Sequence, residues 1–348
     1  MQNTVENKQV IYSAVTYDFI NKGIIVVKPD GSFIFRIPKG GLTPIPVKKG
    51  FPQSRILTFN YYGSKRFLSN EWETILEEAN TQGADTLIDC FGGSGVISLL
   101  AGRQGIYKKI VLNDIAYSIV NFHRVMGDDE KFKEFLYWLG VNGNLDEERF
   151  KKIKDDYKIL ISKRKQSRNL NIKSAVLFYA MQYYSYNGDS LGGYVKRKWK
   201  PIDDKEALKR THKYYENIEV SQYHYMKLFK KYEKFSNALI VLDCPYLPET
   251  RQKKECYAKE MSVGQHRDLL KLVTKSPHNS KIVICGYTSK LYENYFLRSN
   301  KNGGNWHRVD FVKVGRKGSN KAVQERMWVN FDVSQMVANH SDMFTQIY

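Results

Sequence analysis

A carboxylate, a thiol, a proline and an aromatic ring stand together at the end of an apolar run. Residues 239–242 are Leu-Ile-Val-Leu, and Asp243-Cys244-Pro245-Tyr246 follows at once. Such a run is typical of a strand buried on both faces of a parallel sheet, and ligands bind at the carboxyl ends of these strands. A carboxylate beside a backbone carbonyl can accept both hydrogens of an exocyclic amine. The aromatic ring can stack on a base taken out of a duplex.

A second candidate site follows another predicted strand. The segment DCFGGSG, residues 89–95, allows a tight turn and a close approach of the backbone to a ligand. Asp114 ends the next strand, nineteen residues after Gly95, where a Rossmann-type fold binds ribose hydroxyls. The spacing fits NAD, FAD or S-adenosylmethionine, and a purely structural glycine turn is the alternative. The third glycine of the dinucleotide pattern GxGxxG is missing, which favours a ligand without phosphates.

The elements around these motifs indicate an α/β protein. TLIDC, VISLLAGRQ and KKIVLND predict a strand, a helix and a strand, hence one βαβ unit. The fold that these elements predict is a Rossmann-like α/β fold with an inserted, mainly helical segment. The predicted division is a small β-rich extension at 1–54, a catalytic domain at 55–121 and 213–348, and the insertion at 122–212.

The charge of the chain indicates a polyanionic partner. Lysine and arginine number 55 against 36 acidic residues, so the net charge is +19. The four cysteines show no zinc-ligand spacing, and we interpret them as reduced thiols. No apolar run is long enough to cross a membrane, and the N-terminal MQNTVENKQV lacks the apolar core of a signal peptide. We therefore expect a cytoplasmic protein with no membrane partner.

The tetrad and six further motifs, in order, resemble the Dam-like class of DNA adenine methyltransferases, whose signature is Asp-Pro-Pro-Tyr. They cover about residues 57–332: YYGSK at 61–65, FGGSG at 91–95, LNDI at 112–115, the segment ending in YNG at 186–188, the tetrad, and the late ICGYTSKLYE and ERMWVNF. The resemblance implies a Rossmann-like, S-adenosylmethionine-dependent methyltransferase fold with an inserted, mainly helical DNA-recognition domain. It implies methyl transfer from S-adenosylmethionine to adenine N6 in double-stranded DNA, with the target base flipped out. It also implies a bacterial or phage origin and no metal, and we expect a monomer.

The resemblance assigns roles residue by residue. In the tetrad, Asp243 accepts the amine, the carbonyl of residue 244 makes the second contact and Tyr246 stacks. The implied catalytic residues are Asp243, Cys244, Pro245 and Tyr246. The implied cofactor-binding residues are Tyr61, Tyr62, Gly63, Lys65, Asp89, Phe91, Gly93, Gly95, Asp114, Ile115 and Asp243. The implied DNA-binding residues are Asn187, Gly188, Lys196, Arg197 and Lys198.

The stretch from Asn187 to Lys198 combines glycine turns, aromatic rings and cations, and so it is the predicted recognition hairpin. Arg197 is the candidate for a bidentate contact with guanine. Lys163 and Lys165 are expected to contribute charge only. The turn GRKGSNK at 315–321 is the alternative recognition element.

The chain departs from the family pattern at three positions. Cys244 replaces the first proline of the signature, and Cys90 replaces the proline that precedes Phe91. His224 stands where an aspartate usually contacts the adenine of the cofactor. Cys244 and His224 motivate one alternative, a DNA-binding homologue that has lost catalysis. Two others are methylation of RNA, or of another planar amide or amine, by the same site, and a covalent mechanism through the Cys244 thiol. In carbon-5 cytosine methyltransferases, however, the thiol follows a proline rather than preceding one.

Overall fold

The structure is a computed structural model that describes most of the chain. The described residues are 24–27, 33–36, 56, 58–162, 170–188, 192–250, 260–275, 278–313, 323–333 and 343–347. Within the predicted N-terminal extension, strands β1 (Ile24–Val27) and β2 (Phe33–Arg36) pair antiparallel, and the rest of 1–54 lies outside the described residues. Lys163, Lys165, Cys256 and the turn at 315–321 also lie outside them.

The centre of the molecule is an eight-stranded sheet with the order β10-β8-β9-β7-β6-β3-β4-β5. Strands β7, β6, β3, β4 and β5 are parallel, and β9, β8 and β10 extend this sheet antiparallel from β7. The strands are β3 (Thr86–Asp89), β4 (Lys109–Asn113), β5 (Ile218–Ser221), β6 (Ala238–Leu242), β7 (Lys281–Tyr287), β8 (His307–Lys313), β9 (Val323–Val329) and β10 (Met343–Ile347).

Helices cover both faces of this sheet. They are α1 (Ser69–Thr81), α2 (Val96–Gln104), α3 (Tyr117–Met126), α4 (Asp129–Asn142), α5 (Glu147–Ser162), α6 (Ile172–Tyr184), α7 (Lys205–His212), α8 (Tyr225–Tyr232), α9 (Val263–Thr274) and α10 (Lys290–Lys301). The βαβ unit of β3, α2 and β4 is confirmed, as are the buried parallel strand β6 and the Rossmann-like fold.

The order of the strands creates a switch point beside the predicted site. After β3 the chain moves outward through β4 and β5, and then it returns to form β6 on the opposite side of β3. In open α/β sheets, such a reversal leaves a crevice at the carboxyl ends of the two central strands. The glycine segment after β3 and the tetrad after β6 therefore lie at one edge of the sheet.

The alternation of side chains along the strands divides the core into two clusters. On β6, Leu239 and Val241 belong to one cluster, and Ile240 and Leu242 belong to the other. Helices α8, α9 and α10 pack in the second cluster, through residues such as Phe229, Leu269 and Phe296. Since β6 is buried throughout, a continuous apolar run rather than an alternating one encodes it.

The segment between β4 and β5 is mainly helical, as expected, and it shares the first core cluster with the sheet. Phe122 on α3 stacks on Tyr179 of α6, with 5.7 Å between ring centroids, and it meets Phe59 and Phe178 edge-on or tilted at 5.1 Å and 5.9 Å. The predicted boundary between residues 121 and 122 lies inside α3 (Tyr117–Met126). The division into domains stays a prediction.

The shared core predicts cooperative unfolding. Phe122 is fully buried among aromatic rings, so Phe122→Ala should lower the free energy of unfolding by about 3–5 kcal/mol. Phe235→Ala, at a ring that is 50% exposed, should change it by less than about 1 kcal/mol. Urea unfolding followed by tryptophan fluorescence and by far-UV circular dichroism should give one coincident transition in both variants. Separate transitions would instead support an independently folded insertion.

Candidate functional site

A cleft of about 450 Å³ opens at the carboxyl edge of the sheet, within the size range of small-molecule sites. The loops after β3, β4, β5 and β6 contribute its walls. The lining residues include seven that the sequence singled out: Tyr61, Phe91, Gly93, Asp114, Ile115, Asp243 and Pro245. Cys90 and His224, two of the departures from the family pattern, also line the cleft. Residues without a predicted role complete the lining: Ala116, Tyr223, Tyr225, Glu260, Met261 and Gln265. A narrower recess beside this cleft is lined by Tyr62, Gly63 and Lys65, among others.

The glycine loop depends on residues without a side chain. Gly93 and Gly95 have φ of 48° and 75°, in the left-handed region that favours glycine. A Cβ on Gly93 would lie 3.1 Å from the ring of Tyr61, and one on Gly95 would lie 2.6 Å from Cε1 of His123. The loop therefore fits closely between the N-terminal aromatic residue and helix α3.

His123 is a buried member of the site that the sequence analysis did not identify. Its Nε2 lies 2.9 Å from the carbonyl oxygen of Gly93, and its Nδ1 lies 2.7 Å from the hydroxyl of Tyr215. A carbonyl can only accept, so Nε2 carries the hydrogen and Nδ1 accepts from the tyrosine. Burial lowers the pKa of His123 to about 4, so the ring is neutral at pH 7. One residue in the middle of an apolar helix gives no sequence signal for this role.

Asp114 ties the end of β4 to the glycine loop. Its Oδ2 accepts from the Gly93 amide at 3.0 Å, and its Oδ1 accepts from the Ala116 amide at 2.8 Å. Burial raises the pKa of this carboxyl, and the backbone hydrogen bonds from Ala116, Gly93 and Ile115 oppose the rise. A carboxylate has about four acceptor sites, so this one can also accept from a ligand hydroxyl. Next to it, Ile115 is 43% exposed and offers an apolar surface inside the cleft.

Asp89 lies behind the cleft instead of lining it. This carboxyl is 1% exposed and accepts a hydrogen bond from Ser98 at 2.8 Å. Burial raises its pKa to about 7 despite that hydrogen bond, and the negative charges of Asp243 and Asp114 add to the rise. The structure therefore shows Asp89 at the base of the loop, and its contact with a cofactor stays a prediction.

Asp243 is held by a buried cation. Lys65 Nζ lies 2.7 Å from Oδ1 of Asp243, and the two side chains are 3% and 15% exposed. The same ammonium donates to the carbonyl of Gly63 at 3.1 Å. Burial disfavours this charge, but the attraction of Asp243 and then of Glu325 outweighs burial and raises the pKa of Lys65. The lysine is therefore charged at neutral pH, and it orients the carboxylate at the wall of the cleft.

Cys244 and Pro245 point to different environments. Pro245 lines the cleft, whereas the Cys244 side chain is 1% exposed in the second core cluster, with Sγ 3.6 Å from the Tyr292 hydroxyl. Burial raises the pKa of the Cys244 thiol to about 12. A protonated thiol that faces the core is a poor nucleophile, so this placement argues against the covalent alternative.

Tyr246 is 4% exposed rather than open to solvent. Its hydroxyl donates to Oε2 of Glu325 at 2.6 Å and lies 3.4 Å from Oδ1 of Asp243. Lys65 Nζ lies 4.9 Å from the centre of the ring, and Tyr287 packs against the ring edge-on at 4.6 Å. The predicted stacking on a base requires a face of this ring that the structure keeps covered, so that role stays a prediction.

The predicted recognition hairpin begins with a backbone bridge between Ser185 and Tyr194. The guanidinium of Arg197 is exposed, yet it donates to the carbonyls of Tyr183 at 3.0 Å and Ser185 at 3.5 Å. It therefore braces the base of the hairpin. Lys196 and Lys198 are exposed, while the side chain of Asn187 and residues 189–191 lie outside the described part of the chain.

Gly188 connects this hairpin to the cleft. Its φ is 66°, and a Cβ there would lie 2.6 Å from the carbonyl carbon of Asn60 and 2.7 Å from the amide nitrogen of Tyr61. These neighbours are backbone atoms, so a side chain at this position would force the main chain of residues 60–61 to shift. Since Tyr61 lines the cleft, the hairpin and the cleft are in direct contact.

The cleft also contains the histidine that the sequence placed at a family aspartate. His224 lines it, and its Nδ1 accepts from the Met226 amide at 3.4 Å at the start of α8. Among the described residues, no three His, Cys, Asp or Glu side chains are grouped so that they could hold a metal ion. None of the described helices has the length and hydropathy of a membrane span.

Comparisons with known proteins identify what this chain resembles. The family model described as D12 class N6 adenine-specific DNA methyltransferase matches residues 61–310. A Haemophilus influenzae protein that is provisionally named a methyltransferase is 26% identical over 240 residues, which are 66% of this chain and 76% of that protein. The solved structure of the rRNA methyltransferase aviRa from Streptomyces viridochromogenes covers 84% of this chain and 92% of its own, at 10% identity and a TM-score of 0.30.

The fit of the glycine loop against His123 predicts a difference between two glycines. Gly95 and Gly105 have similar φ of 75° and 67°, but a Cβ on Gly105 would meet nothing within 4 Å. Each alanine variant should lose about 1–2 kcal/mol of unfolding free energy from backbone strain. Only Gly95→Ala should also weaken binding of the methyl donor, by at least about tenfold, because the loop must move away from His123. Isothermal titration calorimetry checks this, and equal affinities in the two variants would contradict it.

Proposed function

We propose how catalysis works in this chain, which belongs to the D12 class N6 adenine-specific DNA methyltransferase family and therefore methylates adenine in DNA. In this proposal, S-adenosylmethionine binds in the cleft and Asp243 holds the amine of the target adenine. The observation that carries it is the placement of Asp243, paired with Lys65, in the same cleft as the glycine loop and Asp114.

The groups that line the cleft match the chemical groups of S-adenosylmethionine. Asp114 offers carboxylate lone pairs to ribose hydroxyls, and Ile115 and Phe91 offer apolar surface to the adenine ring. The glycine loop provides backbone at the wall of the cleft, and Tyr61 closes over Gly93. No part of the loop has the third glycine of a pyrophosphate site, in keeping with a cofactor that has no phosphates. When bound, S-adenosylmethionine supplies an electrophilic methyl group on a sulfonium.

Asp243 prepares the amine for attack. The adenine N6 lone pair is conjugated with the ring, which makes it a weak nucleophile. When the carboxylate of Asp243 and the carbonyl of residue 244 accept the two N–H hydrogens, the nitrogen is drawn toward tetrahedral geometry and its lone pair is freed. Lys65 fixes the carboxylate through Oδ1, which leaves Oδ2 as the acceptor for the amine. After transfer, the amine must lose one proton, and the adjacent carboxylate can receive it.

The departures from Asp-Pro-Pro-Tyr are compatible with catalysis. The contact assigned to residue 244 uses its backbone carbonyl, so the cysteine side chain can lie in the core without loss of function. Asp243 and Pro245 keep their places at the cleft, which supports an active enzyme over a homologue that only binds DNA. His224 keeps a polar ring at the wall of the cofactor cleft.

Double-stranded DNA is the proposed substrate, with the target base flipped out. A flipped base is needed because the amine of a paired adenine is engaged with its partner and the cleft lies below the surface. The charge of +19 supplies affinity for phosphates whatever the sequence. The hairpin between α6 and α7 presents Lys196 and Lys198 to solvent next to Trp199, which is 62% exposed, and these groups can reach phosphates and bases.

The tetrad gives the most direct test of this mechanism. Asp243→Ala should reduce methyl transfer to less than about a hundredth of the wild-type rate, because it removes the acceptor for the amine. Cys244→Ser should keep the rate within about threefold, since only the carbonyl acts. Both rates are measured as methylated adenine formed in duplex DNA. Turnover above about a tenth of wild type in Asp243→Ala would refute the assigned role. A Cys244→Ser variant that folds but is inactive would instead support the covalent mechanism through the Cys244 thiol.

A test at the hairpin can show whether Arg197 braces the backbone or contacts a DNA phosphate. Because Arg197 donates to backbone carbonyls, Arg197→Ala should slow methylation of the cognate site while the salt dependence of binding to random DNA stays unchanged. Lys198→Ala, at an exposed cation, should reduce the slope of log K against log salt concentration by about 0.9. Fluorescence anisotropy at several salt concentrations measures both slopes. A lower slope in Arg197→Ala would show that this side chain contacts a phosphate.

A further inference from the structure

Glu325 is a buried carboxylate that the mechanism above does not use. It is 3% exposed and lies on β9, directly opposite Tyr287 of β7 in the strand register. The alternation along β9 places it on the same face as Met327 and Val329, which belong to the first core cluster. This face is the one to which Tyr246 contributes.

Glu325 is linked to the carboxylate of Asp243 through one hydroxyl. Tyr246 donates to Oε2 of Glu325 at 2.6 Å, and the same hydroxyl oxygen lies 3.4 Å from Oδ1 of Asp243. Lys65 Nζ binds that same Oδ1 at 2.7 Å. The hydroxyl and the ammonium therefore converge on one oxygen of Asp243, on the side away from the amine in the proposed arrangement.

The charges of this cluster also depend on Glu325. A buried carboxylate is costly unless it is paired or hydrogen-bonded, and here the buried Glu325 and the partly buried Asp243 both interact with the buried ammonium of Lys65. The lysine interacts favourably with both carboxylates. Without Glu325, the hydroxyl of Tyr246 would lose its acceptor at 2.6 Å, and Asp243 Oδ1 would be the nearby oxygen toward which it could turn.

We propose that Glu325 is a positioning residue for methyl transfer, which holds the Tyr246 hydroxyl so that Lys65 alone fixes the orientation of the Asp243 carboxylate. This inference rests on the role of Asp243 proposed above. Glu325 does not touch the amine or the cofactor in this arrangement. Its contribution is the angle at which Asp243 meets the amine, and small errors in such angles are costly.

The proposal predicts an effect on turnover rather than on binding. Glu325→Ala should lower kcat by about 10- to 100-fold, while KM for DNA and for S-adenosylmethionine changes by less than about threefold. Glu325→Gln should recover part of the loss, because its amide oxygen still accepts from Tyr246. Asp310→Asn is the matched control. Asp310 is a buried carboxylate on β8 that pairs with Arg326 on the opposite face of the same strands, and its loss should lower stability without changing kcat per folded molecule.

A double-mutant cycle with Tyr246→Phe tests whether Glu325 acts through the hydroxyl. If it does, Glu325→Ala combined with Tyr246→Phe should be no slower than the slower single variant. A double variant whose fold reduction in kcat equals the product of the two single reductions would overturn the proposal. So would a kcat within about twofold of wild type in Glu325→Ala. If Glu325→Ala does not fold, the same double-mutant cycle is measured with Glu325→Gln in its place.

The Asp243→Ala variant, measured in parallel, distinguishes a failure of the proposed role of Asp243 from a failure of the proposed role of Glu325. An active Asp243→Ala would remove the proposed mechanism itself. An inactive Asp243→Ala together with a fully active Glu325→Ala and Glu325→Gln would leave the mechanism standing and overturn only the role of Glu325.

Discussion

The ion pair between Lys65 and Asp243 is the interaction on which the site depends. It joins the segment before α1 to the end of β6, two parts of the chain separated by more than half of the sequence. A pair buried to this degree has little net value for stability, since the loss of hydration cancels much of the attraction. Its value is geometric. It sets the direction of a carboxylate that would otherwise rotate freely at the wall of a cleft.

Much of this arrangement could be predicted from the sequence because it follows the strands. Runs of buried apolar residues locate β3, β4 and β6, and the polar residues that follow them meet at one edge of a parallel sheet. That rule brings Asp114, the glycine loop and Asp243 together without any knowledge of contacts. The same reasoning did not predict the short strands at the edges of the sheet. β5 has the sequence Ile-Glu-Val-Ser and only its last residue is buried, so it carries little hydrophobic signal.

The residues that sequence reasoning missed are those whose roles arise from packing. His123 and Glu325 reach the site from a helix and from an antiparallel strand far along the chain. Glu325 opens the ERMWVNF motif, but that motif indicates a core strand and no role in the site. Two side chains with predicted ligand contacts already contact other parts of the protein, which periodicity does not reveal, and both predicted roles stay predictions. The Tyr246 ring is covered, and the Arg197 guanidinium is occupied by carbonyl groups. Periodicity predicts which face a residue occupies, but it does not predict which partner the residue finds there.

The antiparallel edge of the sheet has a role beyond completing the core. A sheet of parallel strands alone would end at β7, and the face of Tyr246 away from the cleft would meet solvent or a helix. Because β9 pairs with β7, it places Glu325 opposite Tyr287, where the carboxylate accepts from the Tyr246 hydroxyl.

The contact between Gly188 and the backbone of residues 60–61 has a consequence for how such enzymes diverge. It joins main chain to main chain, so it makes no demand on the side chains of the hairpin beyond the glycine itself. If the hairpin reads bases as proposed, substitutions that change its sequence preference can accumulate while this backbone contact with the cleft is inherited intact. New sequence preferences can arise in this architecture without the chemistry having to be rebuilt each time.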